Sequence, residues 1–217
     1  MKWLRNNGLS IAFFLMFLGA ISSQYFTGYA VYNKNRQEEG QSPVGYGAYF
    51  SSGHFIEATF ENWESEFLQM AFFVLFTIWL RQKGSSESKK CDEPEEVDRE
   101  PSPLRKDAPW PVRKGGFVLK LYKHSLTIAL LLLFVLSFAL HFYGSLKDEN
   151  EELARKGLPL EPARQYLGDS RFWFESFQNW QSEFLSVFAI IVLSIFLRQQ
   201  GSSQSKPVDA PHYETGE

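Results

Sequence analysis

The chain has 217 residues with 22 Lys+Arg against 25 Asp+Glu, a net charge of −3 and a mean hydropathy of −0.24. That near-neutral balance argues against a general nucleic-acid binder, and the single cysteine, Cys91, excludes a disulfide framework and any multi-cysteine metal cluster. The average hides a strong segregation: 21 Phe and 17% aromatic residues fall largely into four apolar blocks.

The first block, LSIAFFLMFLGAI from Leu9 to Ile21, continues through Gln24 towards Tyr29. Lys2 and Arg5 in front of it give the look of a signal peptide, but a related segment recurs in mid-chain, so it is read as a membrane anchor. The second block runs from Phe67 to Leu80, the third from Ser125 to Tyr143 and the fourth from Phe184 to Leu197. A span needs ~20 mainly apolar residues. The third meets this outright. The second and fourth do so only if Trp63–Glu66 and Trp180–Glu183 belong to the same helices.

An offset of 117 maps the first half onto the second without a gap, and pairing 55–89 with 172–206 gives 17 identities in 35 positions. Asn62-Trp63-Glu64-Ser65-Glu66-Phe67-Leu68 recurs as Asn179-Trp180-Gln181-Ser182-Glu183-Phe184-Leu185. Arg81-Gln82-Lys83-Gly84-Ser85-Ser86 recurs as Arg198-Gln199-Gln200-Gly201-Ser202-Ser203. Duplication of a helical hairpin accounts for both. The expected architecture is all-α: a membrane four-helix bundle from two tandem hairpins in the same orientation. Repeat one covers 1–89, with spans at about 9–30 and 61–81. A flexible linker covers 90–117. Repeat two covers 118–206, with spans at about 124–145 and 178–198, and a tail covers 207–217.

Charge sets the orientation. The N-terminus, linker and tail carry 15 Lys+Arg and the two opposite loops 7, so both termini are expected in the cytoplasm. The linker is rich in Glu, Lys, Ser and Pro and has too little apolar surface to fold alone. Within it, Trp110 reads equally as a membrane-surface contact or a solvated residue, and Cys91 reads as an incidental thiol. In the opposite loops Gly40 and Gly157 are expected helix stops, and Ser52 and Asp169 or Ser170 expected N-caps. Phe55, Phe60, Trp63, Phe172, Trp173, Phe177 and Trp180 are expected to form an interfacial aromatic belt.

The repeated motif is the most informative local feature. Asn62, Ser65, Glu66 and Gln69 share one helical stripe, as do Asn179, Ser182, Glu183 and Ser186. Gln24 lies roughly 22 Å along its helix from Leu9, and Glu66 roughly 21 Å from Leu80, at 1.5 Å per residue. Gln24 with Glu66, and His141 with Glu183, are therefore expected as facing polar pairs inside the outer edge of the bilayer. Two readings stand for them: a hydrogen-bonded clasp or headgroup contact, and a proton or cation site. Arg81 and Arg198 are expected anchors at the cytoplasmic interface. No nucleophile, metal set or phosphate loop is recognisable, so no catalytic residue and no cofactor is expected. The expected partners are the lipid bilayer and another copy or another membrane protein, not nucleic acid.

The two Asn-Trp-x-Ser-Glu-Phe-Leu copies, the Leu-Arg-Gln-x-Gly-Ser-Ser run after each and Asn7-Gly8-Leu9-Ser10 resemble an uncharacterised bacterial membrane-protein family, a domain of unknown function. The resemblance covers nearly the whole chain apart from the linker. It implies an integral protein of the bacterial plasma membrane and brings no activity.

Overall fold

The computed structural model describes residues 2–216 and is all-helical, with no strand among them. The helices are α1 (Lys2–Glu38), α2 (Tyr46–Phe50), α3 (Gly53–Phe76), α4 (Trp110–Lys114), α5 (Gly116–Lys123), α6 (Ser125–Arg155), α7 (Ala163–Tyr166) and α8 (Ser170–Phe196), with a 3-10 turn at Glu96–Asp98. Three of them, α1, α6 and α8, are long and apolar enough to cross a membrane. Their most apolar windows are 0%, 17% and 6% buried within the chain. That much exposed apolar surface is consistent with a lipid surrounding.

The helix carrying the second apolar block is not among the three. Its span was expected at about 61–81, in a helix capped at Ser52; the helix starts at Gly53, as that cap requires, but gives way to turns after Phe76. Its portion up to Glu66 contains Glu57, Glu61, Glu64 and Glu66. The apolar stretch left, Phe67 to Phe76, spans roughly 15 Å, about half of a hydrocarbon core.

The chain divides into two compact units. The first comprises Met1–Phe60 and Ala139–Phe172. Its interior is built of rings. Tyr25, Tyr49 and Phe55 lie 5.5–5.7 Å apart by centroid, and Phe142, Tyr166 and Phe172 lie 5.2–6.2 Å apart. Members of the two triads are related residue by residue by the 117 offset. Phe55 and Phe172 are thus interior residues, not members of an interfacial belt. These two are buried because aromatic rings at a helix start also serve as packing for the loop that precedes it, whereas Phe60, Trp63, Trp173 and Trp180 are half-buried and Phe177 is exposed.

Those loops are pinned alike. The Asn33 side chain donates to Val44 O (3.1 Å) and accepts from Val44 N (2.7 Å), while Asn150 donates to Glu161 O (3.0 Å) and accepts from Glu161 N (2.7 Å). Gly40 and Gly157 end α1 and α6 at φ +74 and +67. Only glycine adopts that left-handed position without cost. Ser52 Oγ accepts from Phe55 N at 3.2 Å and Asp169 Oδ1 from Arg171 N at 2.7 Å, as the capping pattern predicts.

The second unit comprises Glu61–Phe138 and Trp173–Glu217. Here the segment expected as a flexible linker carries turns joined by ion pairs and backbone bonds rather than by apolar burial. Lys89 pairs with Asp98, Lys90 N donates to Glu95 Oε1 at 2.7 Å, and Lys123 reaches Glu100 at 3.0 Å. The tail folds onto the turn after α3. Gly84 N donates to Thr215 Oγ1 at 2.8 Å, and Gly216 N to Ser85 O at 3.0 Å. The buried Lys206 ammonium donates to the carbonyls of Gly84, Pro211, His212 and Glu214.

Candidate functional site

The repeated motif sits on α3 and α8, and within the second unit its residues divide into engaged and open groups. Ser65 Oγ donates to Asn62 O and Ser182 Oγ to Asn179 O, each at 2.8 Å. Both hydroxyls are thereby satisfied within their own helices. The Asn179 amide donates to Glu175 O at 3.0 Å. Trp63 is half-buried, as is Trp180.

Within the second unit a polar contact from α3 to α8 comes from a residue the motif leaves variable. Glu64 is fully buried, and Trp180 Nε1 donates to its Oε1 at 3.0 Å. Sequence reasoning treated Glu64 as a spacer because its counterpart is Gln181 and its partner lies far along the chain. The usable signal was that position 64 is acidic beside a Ser that is itself buried.

Glu66 is exposed and Glu183 half-buried, and neither carboxylate accepts a hydrogen bond among the described residues. The two lie within electrostatic reach of each other. Below them an apolar groove of about 360 Å³ runs between α3 and α8, with Gln69 at one end, Arg81 at the other and the stacked rings of Phe72 and Phe184 (6.1 Å) in its wall.

The partners expected for these carboxylates lie in the first unit. The Gln24 amide donates there to Ala58 O (3.1 Å) and Thr59 Oγ1 (3.3 Å), tying α1 to the start of α3. His141 is fully buried with its ring 5.0 Å from that of Phe172. Tyr49 is buried in the same unit, and burial pushes its phenol up to about 12, with Tyr25 and Tyr32 adding to the effect. It therefore stays a neutral hydroxyl at any working pH.

Arg81 closes the turns that follow α3, and Arg198 caps α8. Arg81 Nη1 donates to the carbonyls of Thr77, Ile78 and Leu80, at 3.0–3.3 Å. Arg198 Nη1 donates to those of Ser194, Ile195 and Leu197, at 2.9–3.2 Å. A guanidinium over the final carbonyls satisfies them and suits the dipole. Arg198 goes further and holds the tail through Pro207 O (3.2 Å) and Ala210 O (3.0 Å). After each Arg, the next backbone N–H donates to a serine: Gln82 N to Ser88 Oγ and Gln199 N to Ser205 Oγ, both at 2.9 Å.

Among the described residues no group of three or more His, Cys, Asp or Glu is placed to hold a metal ion. The arrangement offers helix-to-helix polar contacts, two open carboxylates and an apolar groove. No curated protein and no solved structure matches the chain. A family model described as a domain of unknown function, DUF6766, matches residues 1–217, and the chain belongs to that family.

Proposed function

We propose that this is a multi-pass protein of the bacterial plasma membrane, built from two tandem hairpins as a four-helix bundle with both termini in the cytoplasm, and that its role is structural or interactive rather than enzymatic. The observation that carries the role is the buried Glu64–Trp180 bond. It spends an acidic side chain on joining two apolar helices, as a clasp does. The duplication is supported by bonds that recur 117 residues apart at Asn33 and Asn150, at Arg81 and Arg198, and at Ser65 and Ser182. The orientation is supported by the excess of Lys+Arg on the side of the termini and linker. The bilayer is one partner, and a second copy or another membrane protein the other.

The open carboxylates favour a second reading. Glu66 and Glu183 sit at matching positions of α3 and α8 and accept no bond among the described residues, which suits a proton or cation site in a small conduit, working as an oligomer. One experiment separates the two. The Glu66→Gln, Glu183→Gln double variant and a Glu64→Leu variant, which removes the acceptor of the Trp180 bond, are reconstituted in liposomes, and proton or cation flux and thermal stability are read for each. The clasp expects lowered stability in Glu64→Leu and no carboxylate-dependent flux. Flux in the parent that disappears in the double variant, at unchanged stability, overturns it in favour of the conduit.

A further inference from the structure

The segment 110–124 reads WPVRKGGFVLKLYKH and contains Arg113, Lys114, Lys120 and Lys123 with no acidic residue. It forms α4 and α5, joined through Gly115 and Gly116 at φ +70 and +57, and His124 separates it from α6. Its large apolar side chains point away from the protein: Phe117 is 78% exposed, and Trp110, Leu121 and Tyr122 are exposed as well. Phe117 and Leu121 are one turn apart on α5 and share a face. Lys123 is paired with Glu100 at 3.0 Å, but Arg113, Lys114 and Lys120 have no carboxylate partner among the described residues. Lys114 Nζ lies 4.8 Å from the centre of the Trp110 ring.

Water is a poor medium for such a surface, and no other described residues cover Phe117, Trp110, Leu121 or Tyr122, although Val112 is buried. The next element is α6, the most apolar helix of the protein, so α5 emerges where that helix enters its membrane. We propose that α4 and α5 form a membrane-surface element that lies on the cytoplasmic leaflet and recognises anionic phospholipid headgroups. The proposal rests on the membrane reading above. Phe117, Leu121 and Trp110 enter the boundary between headgroups and acyl chains, and the three unpaired cations meet lipid phosphates. Short amphipathic helices with cations beside aromatic groups bind in this way. Each basic residue near an anionic surface strengthens binding roughly five-fold, an effect screened by salt. Trp110, which composition left open between a solvated residue and a membrane contact, takes the second role.

The test uses the full chain with its single cysteine changed (Cys91→Ser) and a nitroxide attached through Phe117→Cys or, as a control in the middle of α6, Leu132→Cys. Depth is read from relative accessibility to oxygen and to a water-soluble nickel complex. In vesicles of phosphatidylcholine with phosphatidylglycerol, the probe at 117 is expected about 5–10 Å below the headgroup boundary. In pure phosphatidylcholine, or with Arg113→Gln, Lys114→Gln and Lys120→Gln together, it is expected to move into water. A probe at 117 that is aqueous in anionic vesicles, with 132 deep, overturns this proposal alone. Equal embedding in every lipid and in the triple variant overturns the recognition of anionic headgroups. An aqueous probe at 132 overturns the membrane reading and this proposal with it.

Discussion

Residue 28 has no side chain, and the Tyr49 hydroxyl occupies the space one would take: a Cβ there would stand 2.1 Å from Tyr49 Oη. At the position 117 residues on stands Ser145, whose Oγ meets the Tyr166 hydroxyl at 2.6 Å. The same ring is therefore seated in two ways, by close approach in one case and by a buried hydroxyl pair in the other. Gly28→Ser is expected to lower stability by about 1–3 kcal/mol, because the added atoms displace a ring packed on three sides. Ser145→Ala is expected to cost about 1 kcal/mol, the net worth of an ordinary hydrogen bond. Thermal unfolding of the purified protein in one detergent checks both, and the serine expected to damage site 28 is the residue that site 145 needs. Trp180→Phe is the corresponding test of the Glu64 contact. It keeps an aromatic ring and removes the donor, with an expected loss of about 1–3 kcal/mol since a buried carboxyl acceptor loses this hydrogen bond.

The first unit draws α3 and α6 together at two glycines. A Cβ at Gly53 would lie 2.2 Å from Asp148 N, and one at Gly144 would lie 2.4 Å from Glu57 N. The nearest atoms are backbone, so neither helix can yield locally. Gly144→Ala is expected to separate the helices and to lower the unfolding temperature more than Ala→Gly exchanges on the lipid-facing side of α6. Beside this crossing Arg171 gathers Glu57, Asp148 and Glu149 at 2.6–3.4 Å, an arrangement that depends on the helices staying close. Such features mark the limit of what the amino-acid order discloses. The helix stops at Gly40 and Gly157 and the caps at Ser52 and Asp169 are local, each decided by one residue's backbone or side chain, and they can be read directly. So can the four apolar blocks, whose character is a matter of composition. The Glu64–Trp180 bond, the ring triads and the Gly53–Gly144 crossing join residues far apart in sequence, and no local pattern encodes them. The turns between 84 and 109 were missed for a different reason. They are held by ion pairs and side-chain-to-backbone bonds, whereas composition is read for apolar burial. Even so, Asn33 and Asn150 were recognisable as an identical pair at the repeat offset.

The number of crossings depends on α3. If only α1, α6 and α8 cross, the loop at 39–52 and the segment around Cys91 lie on the same side, and the termini lie on opposite sides. If α3 also crosses, Ser42 and Cys91 lie on opposite sides and the termini share one. The observed helix lengths favour three, since α3 carries four glutamates by Glu66 and ends at Phe76. The proposed four require that the acidic side chains of α3 be kept from hydrocarbon. Glu64 is buried against the Trp180 indole, Ser65 is satisfied within its helix and Arg81 closes the last turn, which leaves Glu66 as the open charge of the motif in α3. A carboxylate paired inside the protein does not face hydrocarbon and does not bear the full cost of doing so. Leu80 N still donates to Phe76 O at 2.8 Å, so the turns after Phe76 carry the path on towards Arg81. Labelling with a membrane-impermeant maleimide decides between the two arrangements, because Cys91 is exposed and is the only cysteine. With four crossings, Cys91 is expected to react in inverted membrane vesicles and not in intact cells, and a Cys91→Ser, Ser42→Cys variant is expected to show the reverse. Reaction of both positions from one side establishes that α3 does not cross. It would also withdraw the same-side placement of the termini on which the charge argument rests.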